Sequence, residues 1–92
     1  TLVKEKLFRS LLVHPLIKEI RGEGLMLAAM TENAEITNKV IFKCQDKGLI
    51  LFWLLFESCA IRITPPLTIS NLEIEEGCKI ILEAMDEILN EN

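Results

Sequence analysis

The chain contains a single histidine, His14, and Pro15 follows it. The residue before a proline is pushed out of helical backbone, so His14 reads as the end of a helix rather than as a general base. No serine or cysteine stands in a context that marks an activated nucleophile. The three cysteines, Cys44, Cys59 and Cys78, are odd in number and lie 15 and 19 residues apart. Such spacing builds neither a disulfide framework nor a paired zinc knuckle, and it suits a reducing cytoplasm. Long apolar runs are missing as well. The longest, "LILFWLLF" from Leu49 to Phe56, has eight residues, against the roughly 20 needed to cross a bilayer, which reads as a buried segment and no membrane partner. Glycine is too sparse for a phosphate-cradling loop: "RGEG" at 21–24 lacks the third glycine and is followed by strand-like rather than helical sequence. There is no basic stripe interleaved with aromatics. The net charge is -4, which phosphate would repel, so nucleic acid is not an expected partner.

Half of the 92 residues are hydrophobic and 26% are charged. That is more apolar surface than a small free-standing domain needs, and part of it is expected to face a partner. The chain opens on Thr1 and runs at once into helical sequence. We therefore expect residues 1–92 to form a single domain cut from a longer chain, prone to self-association when isolated.

"TLVKEKLFRSLLV" places Val3, Leu7 and Leu11, with Leu2 and Leu12 beside them, opposite Lys4, Glu5, Lys6 and Arg9, the pattern of an amphipathic helix. "LIKEIRGEGLMLAAM" reads as two short strands, or one strand bent at its glycines, the second part buried on both faces. In "TENAEITNKVIFKCQDKG", Thr31 or Asn33 can cap a helix whose Ile36, Val40, Ile41 and Cys44 form one face and which Gly48 closes. Two further strands follow, joined through Glu57-Ser58. Ser70 and Glu73 form a serine-x-x-glutamate capping box, which starts a helix from Asn71 to about Leu89. Leu72, Ile74, Cys78, Ile81, Met85 and Ile88 make its apolar stripe, and Glu73, Glu75, Glu76, Glu83 and Glu87 are expected in water or at the dipole's positive end. Cys44 and Cys78 fall on apolar stripes and read as core residues. The order predicts a compact α+β domain, without repeats, in which a short β-sheet packs against about three helices.

Arg62 lies between Ile61 and Ile63 in "IRITPPLTIS". A strand here holds a guanidinium at the border of a dry environment, where it needs an anion. Two readings are open: an internal carboxylate such as Glu57 or Glu32, or the carboxylate of a ligand held by arginine's planar fork. Pro65 and Pro66 stiffen the chain beyond the strand and fix where Arg62 emerges.

"IRGEGLMLAAM", "KGLI" and "IRITPPLTISNLEIEEGCKIILEAMDEI" resemble, in order and spacing, the C-terminal small domain of class III pyridoxal-phosphate aminotransferases of the ornithine and acetylornithine group. The resemblance runs from about His14 to Leu89, and the arginine-x-x-proline-proline-leucine phrase is its most specific part. It implies a small C-terminal domain of the aspartate-aminotransferase fold type, with residues 1–13 the tail of a connecting helix. It implies a dimeric full-length enzyme whose large domain, absent from these 92 residues, carries pyridoxal phosphate and its Schiff-base lysine. Its substrates would be an amino acid and a 2-oxo acid, and Arg62 would bind a substrate carboxylate. By the same analogy, residues from Gly48 to Trp53 approach the substrate cleft. The piece alone is expected to be inactive. A stand-alone α+β ligand-binding or interaction module, and an interface domain with Arg62 in a structural ion pair, are the competing readings.

Overall fold

The computed structural model describes residues 2–23, 26–49, 51–54, 57–63 and 68–91. The elements run α1 (Leu2–Leu11), β1 (Glu19–Glu23), β2 (Met26–Met30), α2 (Ala34–Asp46), β3 (Phe52–Leu54), β4 (Glu57–Ile63) and α3 (Asn71–Asn90). The four strands form one antiparallel sheet in the order β1-β2-β4-β3. The expected α+β layout is therefore the observed one, three helices against a short sheet, with two strands in the "IRGEGLM" region rather than one bent strand.

Strand alternation divides the sheet's faces. Leu27, Ala29, Ile61 and Ile63 point to the helices and join one core with Phe8 and Leu12 of α1, Val40, Ile41 and Cys44 of α2, and Ile74, Cys78, Ile81, Ala84, Met85 and Ile88 of α3. Ala28, Met30 and Ala60, the intervening residues, form a separate small buried cluster on the opposite face. Helix α2 packs against β4, and α3 packs against both α2 and α1.

Two glycines are required by geometry. At Gly22 φ is +108°, and a Cβ there would stand 2.0 Å from the Met26 carbonyl oxygen across the β1–β2 pair. At Gly48 φ is +93°. There the Gly48 N–H donates to the Gln45 carbonyl (3.0 Å) and the Leu49 N–H to the Cys44 carbonyl (2.8 Å), a Schellman ending for α2. Leu49 packs on the core as this motif favours.

Four expectations need correction. The buried face of α1 is centred on Phe8 and Leu12, with Leu7 and Leu11 at its margin, while Val3 is 72% exposed. Five residues before Phe8 put Val3 well round the helix from the core. Leu72 is likewise exposed, because the stripe from Ile74 steps by four and three and Leu72 lies half a turn off it. Glu57 and Ser58 belong to β4 itself, so the β3–β4 connection falls at residues 55–56, outside the described residues. Finally, Glu87 does not simply face water: it and Glu91 meet Lys39, Lys43 and Lys47 of α2. Of the two capping candidates, Asn33 caps α2 through its side chain, which accepts from the Ile36 N–H at 2.9 Å.

Candidate functional site

Arg62 sits near the end of β4, in register with Ala28 of β2 on one side and Phe52 of β3 on the other. Its neighbours Ile61 and Ile63 enter the helix-packed core, so alternation turns Arg62 to the helix-free face, alongside Ala28 and Ala60. Alanine is the smallest side chain that keeps strand geometry, and it leaves room over the sheet for the long arginine stem. The residue is half-buried, and its Nε is out of contact with solvent. It is an engaged charge rather than an isolated one.

The register extends this row one strand further. Arg21 of β1 pairs with Ala28, so two arginines flank the same alanine on the same face. Arg21 Nε lies 2.5 Å from Glu19 Oε1 at an exposed position. The sequence alone does not bring Arg21 into line with Arg62, because that alignment comes from cross-strand register. Of the candidate internal partners, Glu32 is exposed, and the side chain of Glu57 lies outside the described residues, as do Pro65 and Pro66, expected to stiffen the chain beyond Arg62. Within the segment Gly48–Trp53, the backbone of Phe52 runs directly beside Arg62.

The other candidate groups are structural. His14 Nδ1 accepts the Leu16 N–H at 3.1 Å, which leaves the proton of the neutral ring on Nε2, 2.7 Å from Asp86 Oδ1. The Cys44 and Cys78 thiols are each pushed up to about 11 by burial, so both stay protonated and unreactive at neutral pH. None of the three cysteines forms a disulfide. Among the described residues no cluster of side chains suits a metal ion, and no helix is long and apolar enough to cross a membrane.

Sequence reading also missed Arg9, whose Nη1 and Nη2 donate to the Ile20 and Gly22 carbonyls at 2.8 and 2.7 Å and tie α1 to β1. A basic residue on an amphipathic helix carries no signal that separates such a clamp from a solvated charge.

A helix-backed antiparallel sheet with a half-buried arginine on its helix-free face is the setting in which the relatives become informative. The aminotransferase class-III family model matches residues 1–85, and the chain belongs to that family. It is 34% identical to 4-aminobutyrate aminotransferase GabT of Escherichia coli, over 80% of this chain and 19% of that protein. It is 32% identical to acetylornithine aminotransferase of Caldanaerobacter subterraneus, over 82% of this chain and 18% of that protein. Among solved structures, the ornithine aminotransferase of Toxoplasma gondii superposes with a TM-score of 0.84 at 26% identity, covering 99% of this chain and 23% of that one. The chain thus spans about a fifth of the length of the curated relatives it matches. Family membership implies pyridoxal phosphate. The described lysines do not fit its Schiff-base partner: Lys39, Lys43 and Lys47 are ion-paired to Glu87 or Glu91 at the C-terminal end of α3, Lys6, Lys18 and Lys79 are exposed, and Lys4 lies on α1 with an interaction of its own.

Proposed function

We propose that these 92 residues are the C-terminal small domain of a pyridoxal-phosphate-dependent aminotransferase, and that Arg62 binds a carboxylate of its substrates. The whole protein transfers an amino group between an amino acid of the ornithine or acetylornithine kind and a 2-oxo acid. Residues 1–13 then form the end of the helix that connects to the large domain, which holds the cofactor. The full-length enzyme works as a homodimer in the cytoplasm, in keeping with three cysteines that form no disulfide.

The observation that carries the reading is the placement of Arg62: half-buried, on the helix-free face, beside an alanine. A guanidinium held by a strand of a packed sheet offers two parallel donors in a fixed plane, which suits a carboxylate better than a flexible surface lysine would. Its contribution is orientation of the substrate, a proximity effect.

The test compares wild type with Arg62→Ala and Arg62→Lys in the full-length protein. With an amino-acid donor, the KM of Arg62→Ala rises by about 30- to 100-fold, the loss of a charge-assisted hydrogen bond pair. Butylamine, which has no carboxylate, is used equally well by both. An equal loss for butylamine, or an unchanged KM for the amino acid, refutes the reading. A drop in folding stability with unchanged KM assigns Arg62 to a structural ion pair. Activity in ligand binding without any transamination by the full-length protein favours the stand-alone module.

A further inference from the structure

Where β2 leaves the sheet, Thr31 is 5% exposed and Thr37, in the first turns of α2, is wholly buried. Their hydroxyl oxygens are 2.7 Å apart. Thr31 Oγ1 is also 2.9 Å from the Asn33 carbonyl and 3.2 Å from the Cys59 carbonyl, while the Thr31 N–H donates to that same Cys59 carbonyl at 2.7 Å. A hydroxyl has one proton. With that proton on the Asn33 carbonyl, Thr31 Oγ1 accepts from Thr37, so Thr37 is the donor of the pair. This buried knot joins the end of β2, the N-cap of α2 and the start of β4.

Its place in the sheet matters for Arg62. The Thr31–Cys59 contact is the next rung of the β2–β4 ladder beyond Met30–Ala60, and Arg62, opposite Ala28, lies three rungs from it along the same ladder. On its other side β4 has only the three-residue edge strand β3, whose pairing shifts register between Trp53 and Leu54. The register of β4 therefore depends on β2. A slip of one residue would turn Arg62 into the helix-packed core and Ile61 outward.

We propose that Thr31, seated against Thr37, is a positioning residue: it anchors the start of β4 and so holds Arg62 where a carboxylate ligand meets it. The proposal rests on the reading of Arg62 as the carboxylate-binding group. Neither threonine touches the ligand. Their joint role was invisible in the sequence, where Thr31 competed with Asn33 only as a helix cap.

The experiment uses the full-length holoenzyme and measures the dissociation constant of glutarate, a dicarboxylate that cannot be transaminated, by calorimetry. Four proteins form a cycle: wild type, Thr31→Val, Arg62→Ala and the double variant. Thr31→Val is expected to weaken glutarate about tenfold, as a misplaced binding group does. In the Arg62→Ala background it adds nothing, and Thr31→Ser, which keeps the hydroxyl, restores wild-type binding. If Thr31→Val proves too unstable to assay, Thr37→Val takes its place in the cycle; it removes only the donor to Thr31, and the same dependence on Arg62 is expected with a smaller loss. Arg62→Ala weakening glutarate while the threonine variants bind normally, or weaken it equally in both backgrounds, overturns the positioning role and leaves the Arg62 reading intact. Glutarate binding unchanged by Arg62→Ala overturns that reading, and the inference with it.

Discussion

His14 Nε2 lies 2.7 Å from Asp86 Oδ1, joining the turn after α1 to α3 across 72 positions of sequence. The imidazole is 6% exposed and the carboxylate 65%, so the two ends of this bond differ in what they lose when broken. His14→Ala empties an enclosed site and removes the acceptor of the Leu16 N–H, which should destabilise by about 1–3 kcal/mol. Asp86→Ala empties no enclosed space, since the carboxylate is exposed, and should cost only the one hydrogen bond to Nε2, about 1 kcal/mol. Urea unfolding of both variants and of the double variant measures the coupling; equal single losses would contradict this asymmetry.

The contact between α2 and α3 is charged along its outer edge. Lys47 Nζ is 2.5 Å from Glu87 Oε2, and Lys43 Nζ is 3.2 Å from Glu91 Oε1. A hydrogen bond from Lys47 holds the Glu87 carboxyl below its ordinary 4.5, and one from Lys43 does the same for Glu91. The bond to Glu87 raises Lys47 above its ordinary 10.5. Depressed carboxylates stabilise the folded state above 4.5, and that contribution disappears as pH falls through their lowered values. The raised ammonium stabilises below 10.5, and its share is lost as pH rises through its higher value. These groups are exposed, so the effect is small and salt screens it. Glu87→Gln should therefore melt below wild type at neutral pH and low salt, with the gap closing in acid and in molar salt. A gap that persists at low pH would show that packing, not charge, separates the two proteins.

Much of the fold was readable because local signals agreed: the Ser70 box, Gly48 with its basic last turn, and the apolar steps of α2 and α3 each specify their own element without reference to the rest. Arg62 was readable as an arginine flanked by core isoleucines, which alternation alone turns away from the core. What could not be read depends on one element meeting another. Lys39, Lys43 and Lys47 look like a solvated face until α3 is laid beside α2, and the α3 acids look the same from their side. Thr31 looks like a cap until β2–β4 register brings it to the Cys59 carbonyl. Val3 and Leu72 show the opposite error, apolar residues assigned to a stripe that helical geometry carries past them.

The two positive-φ glycines should respond differently to alanine. At Gly22 the new Cβ collides with the Met26 backbone carbonyl at 2.0 Å, and the strand pair must open to relieve it. At Gly48 nothing lies within 4 Å of the added carbon, so only the left-handed backbone opposes it. Gly48→Ala should lower stability by about 1 kcal/mol and Gly48→Asn by less, since asparagine tolerates that conformation. Gly22→Ala should lose more than about 3 kcal/mol, because a clash with backbone adds to the strained φ. Thermal melts followed by circular dichroism rank the three; similar losses at the two glycines would argue that the β1–β2 pair can yield at Gly22.

The start of α3 separates a neutral hydrogen bond from a charged one within a single box. The Ser70 side chain accepts the Glu73 N–H at 3.1 Å, and Glu73 Oε1 accepts the Ser70 N–H at 3.0 Å. Ser70→Ala removes the acceptor for an orphan donor of the first turn and should destabilise by about 1 kcal/mol at any pH. The Glu73 carboxyl is held below its ordinary 4.5, first by the Ser70 backbone N–H and then by the Ser70 hydroxyl. Its contribution is present above 4.5 and fades as pH falls through the lowered value. Glu73→Gln keeps an oxygen able to accept the same bond but has no charge to lose, and no charge to complement the helix dipole. Wild type should thus exceed Glu73→Gln in stability at neutral pH and converge with it in acid, whereas the deficit of Ser70→Ala persists. If both variants converge with wild type at low pH, the hydroxyl matters only through the charge it stabilises on Glu73.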